Sequence, residues 1–199
     1  LSDYFFTTSE MAGENLRKTG ITGDRIFFVG NVMIDTLLAN KDRFKKPAIW
    51  DEAGLKKKEY IVITLHRPNN VDDHLQLRRL VDTISESSRN LPLIFPIHPR
   101  TAKILYDSKI IDSPIDHVSP SKPNKINNLY FIPPLGYLEF NYLVENSKAV
   151  ITDSGGITEE TTVMGVPCIT SRDNTERPET VTGGTNELIG TDPSSIRPA

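Results

Sequence analysis

An α/β fold built on a doubly wound, Rossmann-like parallel sheet is predicted by three features of the sequence. Short apolar runs (Tyr60 to Leu65, Leu93 to Ile97, Leu129 to Ile132, Ala149 to Ile151) alternate with helical stretches. These runs lack polar alternation, which suits strands buried on both faces of a parallel sheet. Each ends abruptly in polar or glycine-rich residues, and open parallel sheets bind ligands at those carboxyl ends.

In chain order, Tyr4 to Thr7 reads as a short strand, followed by a helix from Glu10 to Lys18 capped by Ser9 and ended by Gly20. Arg25 to Val29 is a strand and Val32 to Asn40 a helix with Met33, Ile34, Leu37 and Leu38 on one face. Residues 41–58 carry six lysines, Pro47 and Gly54 without a sustained period, and read as a linker with a short helix near Ile49 to Leu55. The strand Tyr60 to Leu65 exits through His66, Arg67, Pro68, Asn69 and Asn70. A helix capped by Asp72 or Asp73 then runs to Asn90, with Leu77, Leu80, Val81 and Ile84 as its stripe. Leu93 to Ile97 exits through His98, Pro99, Arg100 and Thr101, with Thr101 as the expected cap of a helix to Ile110. Residues 113–128 are rich in Ser, Pro, Asn and Lys and read as a loop. Leu129 to Ile132 is the third strand of the regular part, and Tyr137 to Asn146 a helix. Ala149 to Ile151 runs through Asp153 and Ser154 into a helix opened by Gly155 and Gly156 and closed near Gly165. Pro167 to Thr170 and Glu187 to Gly190 are the last strands.

The chain has 199 residues, of which 37% are hydrophobic, enough for one α/β domain or one domain with part of another. A net charge of −3 with interspersed signs gives no support to a basic face for nucleic acid, and none is expected as a partner. The single Cys168 excludes an intrachain disulfide and favours a reducing compartment. The sequence has no signal peptide, no apolar run of membrane length and no glycosylation sequon, so a cytoplasmic protein without membrane contact is expected. Leu1 stands directly on a strand and the sequence stops where a helix is expected to begin, so it reads as a fragment.

Several chemistries lack their motif. There is no G-x-G-x-x-G, no Walker P-loop and no G-x-S-x-G elbow, which argues against dinucleotide cofactors, ATP-type loops and a serine hydrolase. His66, His74, His98 and His117 have no metal-type spacing, so neither a metal nor another cofactor is expected; His74 and His117 read as surface residues.

What remains is a candidate anion cradle. A helix N-terminus offers unpaired N–H groups and the positive end of the helix dipole, and Gly155 and Gly156 keep side chains out of the way. Ser154, Gly155 and Gly156 read either as a tight strand–helix turn or as a phosphate site, and two arginines on the next strand favour the second. Glu160 reads as a helix-start carboxylate or an acceptor for ribose hydroxyls, and Glu159 as structural. Arg177 reads as an anion ligand or as the partner of a carbonyl, Glu176 or Glu179; Pro178 is taken to fix a non-helical loop there. Arg172 reads as structural, paired with Asp173 or Glu176. His66 suits a diphosphate contact or proton handling, with Arg67 beside it. His98 and Arg100 read as ligands or as a cap and turn. Leu135 and Phe140 read as core residues able to wall a base pocket, and Cys168 as a small core residue.

The stretches HRPNNVDD (66–73), PIHPRT (96–101), TDSGGITEE (152–160), MGVPC (164–168), RDNTERPE (172–179) and GGTNELIGTD (183–192) together resemble the non-hydrolysing UDP-N-acetylglucosamine 2-epimerases. The resemblance implies a two-domain, glycosyltransferase-B-like enzyme that interconverts UDP-GlcNAc and UDP-ManNAc in cell-surface polysaccharide biosynthesis and commonly forms a homodimer. Residues 59–199 then correspond to its UDP-binding C-terminal domain, and residues 1–58 to the end of the N-terminal half and a linker. It implies that Ser154, Gly155 and Gly156 bind the diphosphate, Glu160 the ribose, and Arg177 and His66 line the diphosphate, with His66 also catalytic; Arg67, next to His66, is read from its position as a further substrate-binding residue. Leu135 and Phe140 fall at the uracil pocket. His98 and Arg100 fall at the border of a regulatory UDP-GlcNAc site. Many bacterial members carry H-R-R-E-N and V-H-L-N-P in these two loops, where this chain has His66-Arg-Pro-Asn-Asn and Ile97-His-Pro-Arg-Thr, and this departure bears on the regulatory site. The implied mechanism eliminates UDP to a 2-acetamidoglucal and adds it back, with the C2 acid–base work largely on carboxylates of the N-terminal half. The competing readings are a sugar transferase of the same fold, a non-catalytic nucleotide-sugar-binding module, and a hydrolysing epimerase that frees ManNAc.

Overall fold

A computed structural model describes residues 2–114 and 123–196. His117 and residues 197–199 lie outside them. The chain divides into two compact units, Leu1–Asp42 and Arg43–Ala199.

In the first unit, β1 (Phe5–Thr7) and β2 (Ile26–Phe28) pair in parallel, with α1 (Glu10–Lys18) between them and α2 (Val32–Asn40) after them. Ser9 caps α1 through the Ala12 N–H, and Asn31 caps α2 through the Met33 N–H, because a short side-chain acceptor satisfies a donor that the first turn leaves open. Tyr4, Phe6 and Phe28 are exposed, Phe6 to 69%.

The second unit holds a seven-stranded sheet. In chain order its strands are β3 (Ile61–Thr64), β4 (Leu93–Pro96), β5 (Asn124–Ile126), β6 (Leu129–Ile132), β7 (Ala149–Thr152), β8 (Cys168–Thr170) and β9 (Asn186–Leu188). Their order across the sheet is β5-β6-β4-β3-β7-β8-β9, all parallel except the β5–β6 pair. The helices are α3 (Ile49–Glu52), α4 (Pro68–Val71), α5 (His74–Ser87), α6 (Pro99–Asp107), α7 (Tyr137–Asn146), α8 (Gly155–Met164) and α9 (Pro178–Thr182). The two-residue period of the strands sorts the core onto two faces. Ile63, Leu65, Phe95, Phe131 and Ile151 meet Leu77, Leu80 and Ile84 of α5 and Leu105 of α6. Tyr60, Val62, Ile94, Ile132, Val150 and Cys168 meet Leu143 and Val144 of α7, with Ile157 and Met164 of α8 packed against them. Both faces are covered, as the apolar runs predict.

Four differences from the sequence reading have physical causes. Residues 43–58 are part of the second unit: Ile49 and Leu55 are buried, and Trp50 meets the Tyr60 and Tyr142 rings edge-on at 5.6 and 5.4 Å. α6 begins before Thr101, because Pro99 suits the first helical position and His98 caps it. α5 stops before Asn90, where Arg89 and Asn90 take left-handed conformations (φ 51° and 65°). Pro178 opens α9 rather than fixing a non-helical loop. No helix among the described residues is long and apolar enough to cross a membrane.

The turn from α9 to β9 packs tightly on α8. A Cβ added at Gly184 would lie 2.7 and 2.8 Å from Oγ1 and Cγ2 of Thr162, whereas one at Gly183 would meet nothing closer than 3.8 Å. Gly184→Ala is therefore expected to cost about 1–3 kcal/mol of stability through forced displacement, and Gly183→Ala little, in urea unfolding monitored by circular dichroism.

Candidate functional site

The sheet order reverses between β3 and β7: the chain winds from β3 outward to β4 and β6, then returns to the other side of β3. Such a switch point leaves a crevice at the carboxyl ends of the two central strands. Thr64 and Thr152 are paired there, and their hydroxyls lie 2.9 Å apart. The next residue of β7's exit, Asp153, is wholly buried. Its carboxylate accepts the backbone N–H of His66 (3.0 Å) and of Arg67 (2.9 Å) and the Asn70 Nδ2 amide (3.1 Å), and pairs with His66 Nδ1 at 2.9 Å. Arg67 Nε donates to the Asp153 carbonyl at 3.0 Å. Thus one buried side chain ties the exit of β3 to the exit of β7.

Burial opposes the charge on Asp153, but the hydrogen bonds from His66, Arg67 and Asn70 outweigh it and hold the carboxyl below its usual range. The same hydrogen bond to Asp153 raises the pKa of His66, against the opposing effects of burial and the Arg67 charge. With Nδ1 committed to Asp153, the proton that His66 can exchange or donate sits on Nε2. The His66 side chain is 45% exposed, so that edge is accessible.

α8 starts two residues after Asp153. Ser154 is its N-cap but makes no side-chain capping bond, so the Ser154 hydroxyl is not spent on closing the helix end. Three guanidiniums surround this turn. Arg172 grips Glu176 in a two-pronged pair (2.7 and 2.8 Å), which lowers the Glu176 carboxyl to about 2. Arg67 Nη2 stands 3.8 Å from the same carboxylate. Arg177 Nε pairs with Glu159 Oε1 at 2.9 Å. A Cβ on Gly155 would come within 3.5 Å of Glu176 Oε2 and 3.8 Å of Arg172 Nη1, so charged groups crowd the backbone there. Glu160 is buried, which raises its pKa; the charge of Glu159 adds to the rise, and a hydrogen bond from the Tyr137 hydroxyl (3.0 Å) offsets it.

The residues expected from the sequence fall into three groups. His66, Arg67, Ser154, Gly155 and Gly156 come together at the β3–β7 switch, and Glu160 and Arg177 join them along α8. Leu135 and Phe140 are partly buried and pack, like Ile157 of α8, against the core on the α7 side. His98 and Arg100 are used structurally: His98 Nδ1 caps α6 by accepting the Arg100 N–H at 3.3 Å, and Arg100 holds Asp72 through two contacts of 2.8 and 2.7 Å. The His98 ring still lies 6.4 Å from that of His66. Sequence reasoning overlooked Asp153, Asn70, Tyr137 and the pairing of Glu159 with Arg177. For Asp153 a signal existed: an acid immediately after an apolar strand must be paired if it is buried. Among the described residues, no three His, Cys, Asp or Glu side chains gather so as to hold a metal ion.

The raised pKa of His66 means that its share of stability is complete below the ordinary value of 6.5 and is lost as pH rises through the folded value. The depressed pKa of Asp153 means that its share is complete above 3.8 and is lost as pH falls through the folded value. The pair therefore stabilises the fold most between pH 3.8 and 6.5. Asp153→Asn is expected to cost about 3 kcal/mol near pH 6, and to return the His66 titration, followed by NMR, toward its ordinary value.

The UDP-N-acetylglucosamine 2-epimerase family model matches residues 1–199. A UDP-N-acetylglucosamine 2-epimerase of Methanocaldococcus jannaschii is 40% identical over 195 residues, covering 96% of this chain and 51% of that protein. A crystal structure of the enzyme from that organism, in complex with UDP-GlcNAc and UDP, matches with a TM-score of 0.82 at 38% identity, covering 99% of this chain and 53% of that one. A UDP-2,3-diacetamido-2,3-dideoxy-D-glucuronate 2-epimerase of Pseudomonas aeruginosa is 34% identical over 194 residues, covering 96% of this chain and 49% of that protein. The chain spans about half the length of these curated relatives. By its sequence along the whole length and by its fold, the chain belongs to the UDP-N-acetylglucosamine 2-epimerase family.

Proposed function

We propose that this chain supplies the UDP-binding half of a non-hydrolysing 2-epimerase that interconverts UDP-GlcNAc and UDP-ManNAc. The observation that carries this is the convergence of the α8 N-terminus, three guanidiniums and the Asp153-held His66 at the sheet's switch point. The relative whose structure holds UDP-GlcNAc and UDP supports it. So does a relative that acts on a different UDP-sugar, since the shared half then recognises the nucleotide rather than the sugar.

In this reading the N–H groups of Gly155 and Gly156 and the Ser154 hydroxyl hold the diphosphate, with Arg67 and Arg177 beside it. Glu160 accepts the ribose hydroxyls. Leu135 and Phe140 wall the uracil. The reaction removes the C2 proton and breaks the C1–O bond, so the C–H electron pair forms the C1=C2 double bond of 2-acetamidoglucal and UDP departs with the C–O pair. UDP then adds back at C1, and a proton reaches the opposite face of C2. Negative charge grows on the β-phosphate as UDP leaves, and donors fixed beforehand stabilise it without reorganising. His66, held at Nδ1 by Asp153, donates its Nε2 proton to that departing oxygen.

We propose further that Leu1–Asp42 is the end of the N-terminal half, which completes its sheet. A two-stranded sheet with exposed Tyr4, Phe6 and Phe28 lacks a cover, and the relatives are about twice as long. The enzyme is proposed as a cytoplasmic homodimer, the arrangement that the family resemblance implies.

The 199-residue chain is expected to bind UDP and to leave UDP-GlcNAc unchanged; turnover by it alone would overturn the division of labour between halves. Gly156→Val is expected to weaken UDP at least about tenfold in isothermal titration calorimetry, with the circular dichroism spectrum unchanged. In the whole enzyme, UDP-ManNAc forming from UDP-GlcNAc without an acceptor and without free ManNAc identifies the reaction.

A further inference from the structure

Tyr137 opens α7, and its hydroxyl reaches across to α8, where it donates to Glu160 Oε1 at 3.0 Å. The two residues differ sharply in exposure: Tyr137 is 41% exposed, Glu160 only 6%. The phenol therefore extends from the surface to a carboxylate that has little water of its own. Tyr137 is itself braced. Asn141, wholly buried one turn later, donates from Nδ2 to the Tyr137 carbonyl at 3.2 Å.

A glutamate has three rotatable bonds, and a buried one tends to take up a proton. Either freedom spoils it as an acceptor for a pair of neighbouring hydroxyls, which need a fixed, ionised carboxylate. A hydroxyl donor on Oε1 corrects both faults: it fixes the rotamer and favours the charged form, and Oε2 is not part of that bond. We propose that Tyr137 is a positioning residue that holds Glu160 as the acceptor for a ribose diol and so sets the site's preference for ribo- over 2′-deoxyribonucleoside diphosphates. This rests on the reading of the α8 N-terminus as a UDP cradle.

The test titrates the chain with UDP and with 2′-deoxy-UDP by calorimetry, for wild type, Tyr137→Phe, Glu160→Gln and the double variant, with thermal melting in parallel. The wild type is expected to prefer UDP by about tenfold. Tyr137→Phe is expected to lose most of that preference by weakening UDP, while 2′-deoxy-UDP stays within about twofold; in the Glu160→Gln background the same change has no further effect. Three results overturn the proposal and leave the cradle standing: a preference unchanged in Tyr137→Phe, equal weakening of both nucleotides, or a Tyr137→Phe effect that persists without the Glu160 carboxylate. A wild type that binds UDP with no preference does the same. A wild type that binds neither nucleotide overturns the proposal and the cradle together.

Discussion

The buried charge of Asp153 is the constraint on which the site depends. A carboxylate with no exposure to water is tolerable only when its oxygens are filled with donors. Here the donors are two successive backbone N–H groups, an amide and an imidazole, all from the segment that leaves β3. The consequences run outward from that arrangement. The β3 exit cannot swing away from β7 without stranding the charge. The turn into α4 is fixed because Asn70, its third residue, also donates to the Ser171 carbonyl after β8. And the imidazole of His66 is oriented, with Nδ1 occupied by Asp153 and the side chain 45% exposed. Three strand ends are thereby locked together around one side chain.

The second organising feature is the pairing of cations with carboxylates around α8. Arg172 and Arg67 share Glu176, and Arg177 has Glu159. An anionic ligand would not meet bare positive charge; it would meet guanidiniums already aimed by acidic partners. Partly exposed ion pairs contribute only about 0–1 kcal/mol each, so rearranging them is cheap. What they supply is orientation, which matters more for a planar fork that must meet phosphate oxygens in a particular geometry. Arg172, buried and doubly bonded to Glu176, is the fixed member of the set, while the Glu176 side chain is 60% exposed and open to exchange for another anion.

The sheet was legible in the sequence because burial on both faces leaves an apolar run that no helix of that length would need. Ala149 to Thr152 and Leu129 to Ile132 are read almost to the residue. β5 was not, since Asn124 and Lys125 sit on an antiparallel edge strand where polar residues are tolerated. α4 and α9 were hidden by Pro68 and Pro178, which look like breakers but occupy a first helical position where no N–H is needed. Of the site, the glycine pair, His66 and the arginines announce themselves by residue type and position after strands. Asp153 and Tyr137 do not. Their roles depend on which strands and helices become neighbours, and sequence spacing does not carry that information: Asp153 and His66 are distant in the chain, and so are Tyr137 and Glu160.

The adjacent glutamates of α8 show how little separates these roles. Successive residues on a helix point about 100° apart, so Glu159 and Glu160 must face different neighbours. One faces the loop after β8 and meets Arg177; the other faces α7 and meets Tyr137. The first carboxylate is paired with a cation, and the second is held by a neutral phenol in a buried setting that raises its pKa. Reversing the order of their partners would put a guanidinium against the buried Glu160 and leave Glu159 to the phenol. The helix register, set by Gly155 at its start and by the left-handed Gly165 at its end, thus decides which glutamate aims a cation and which meets the phenol.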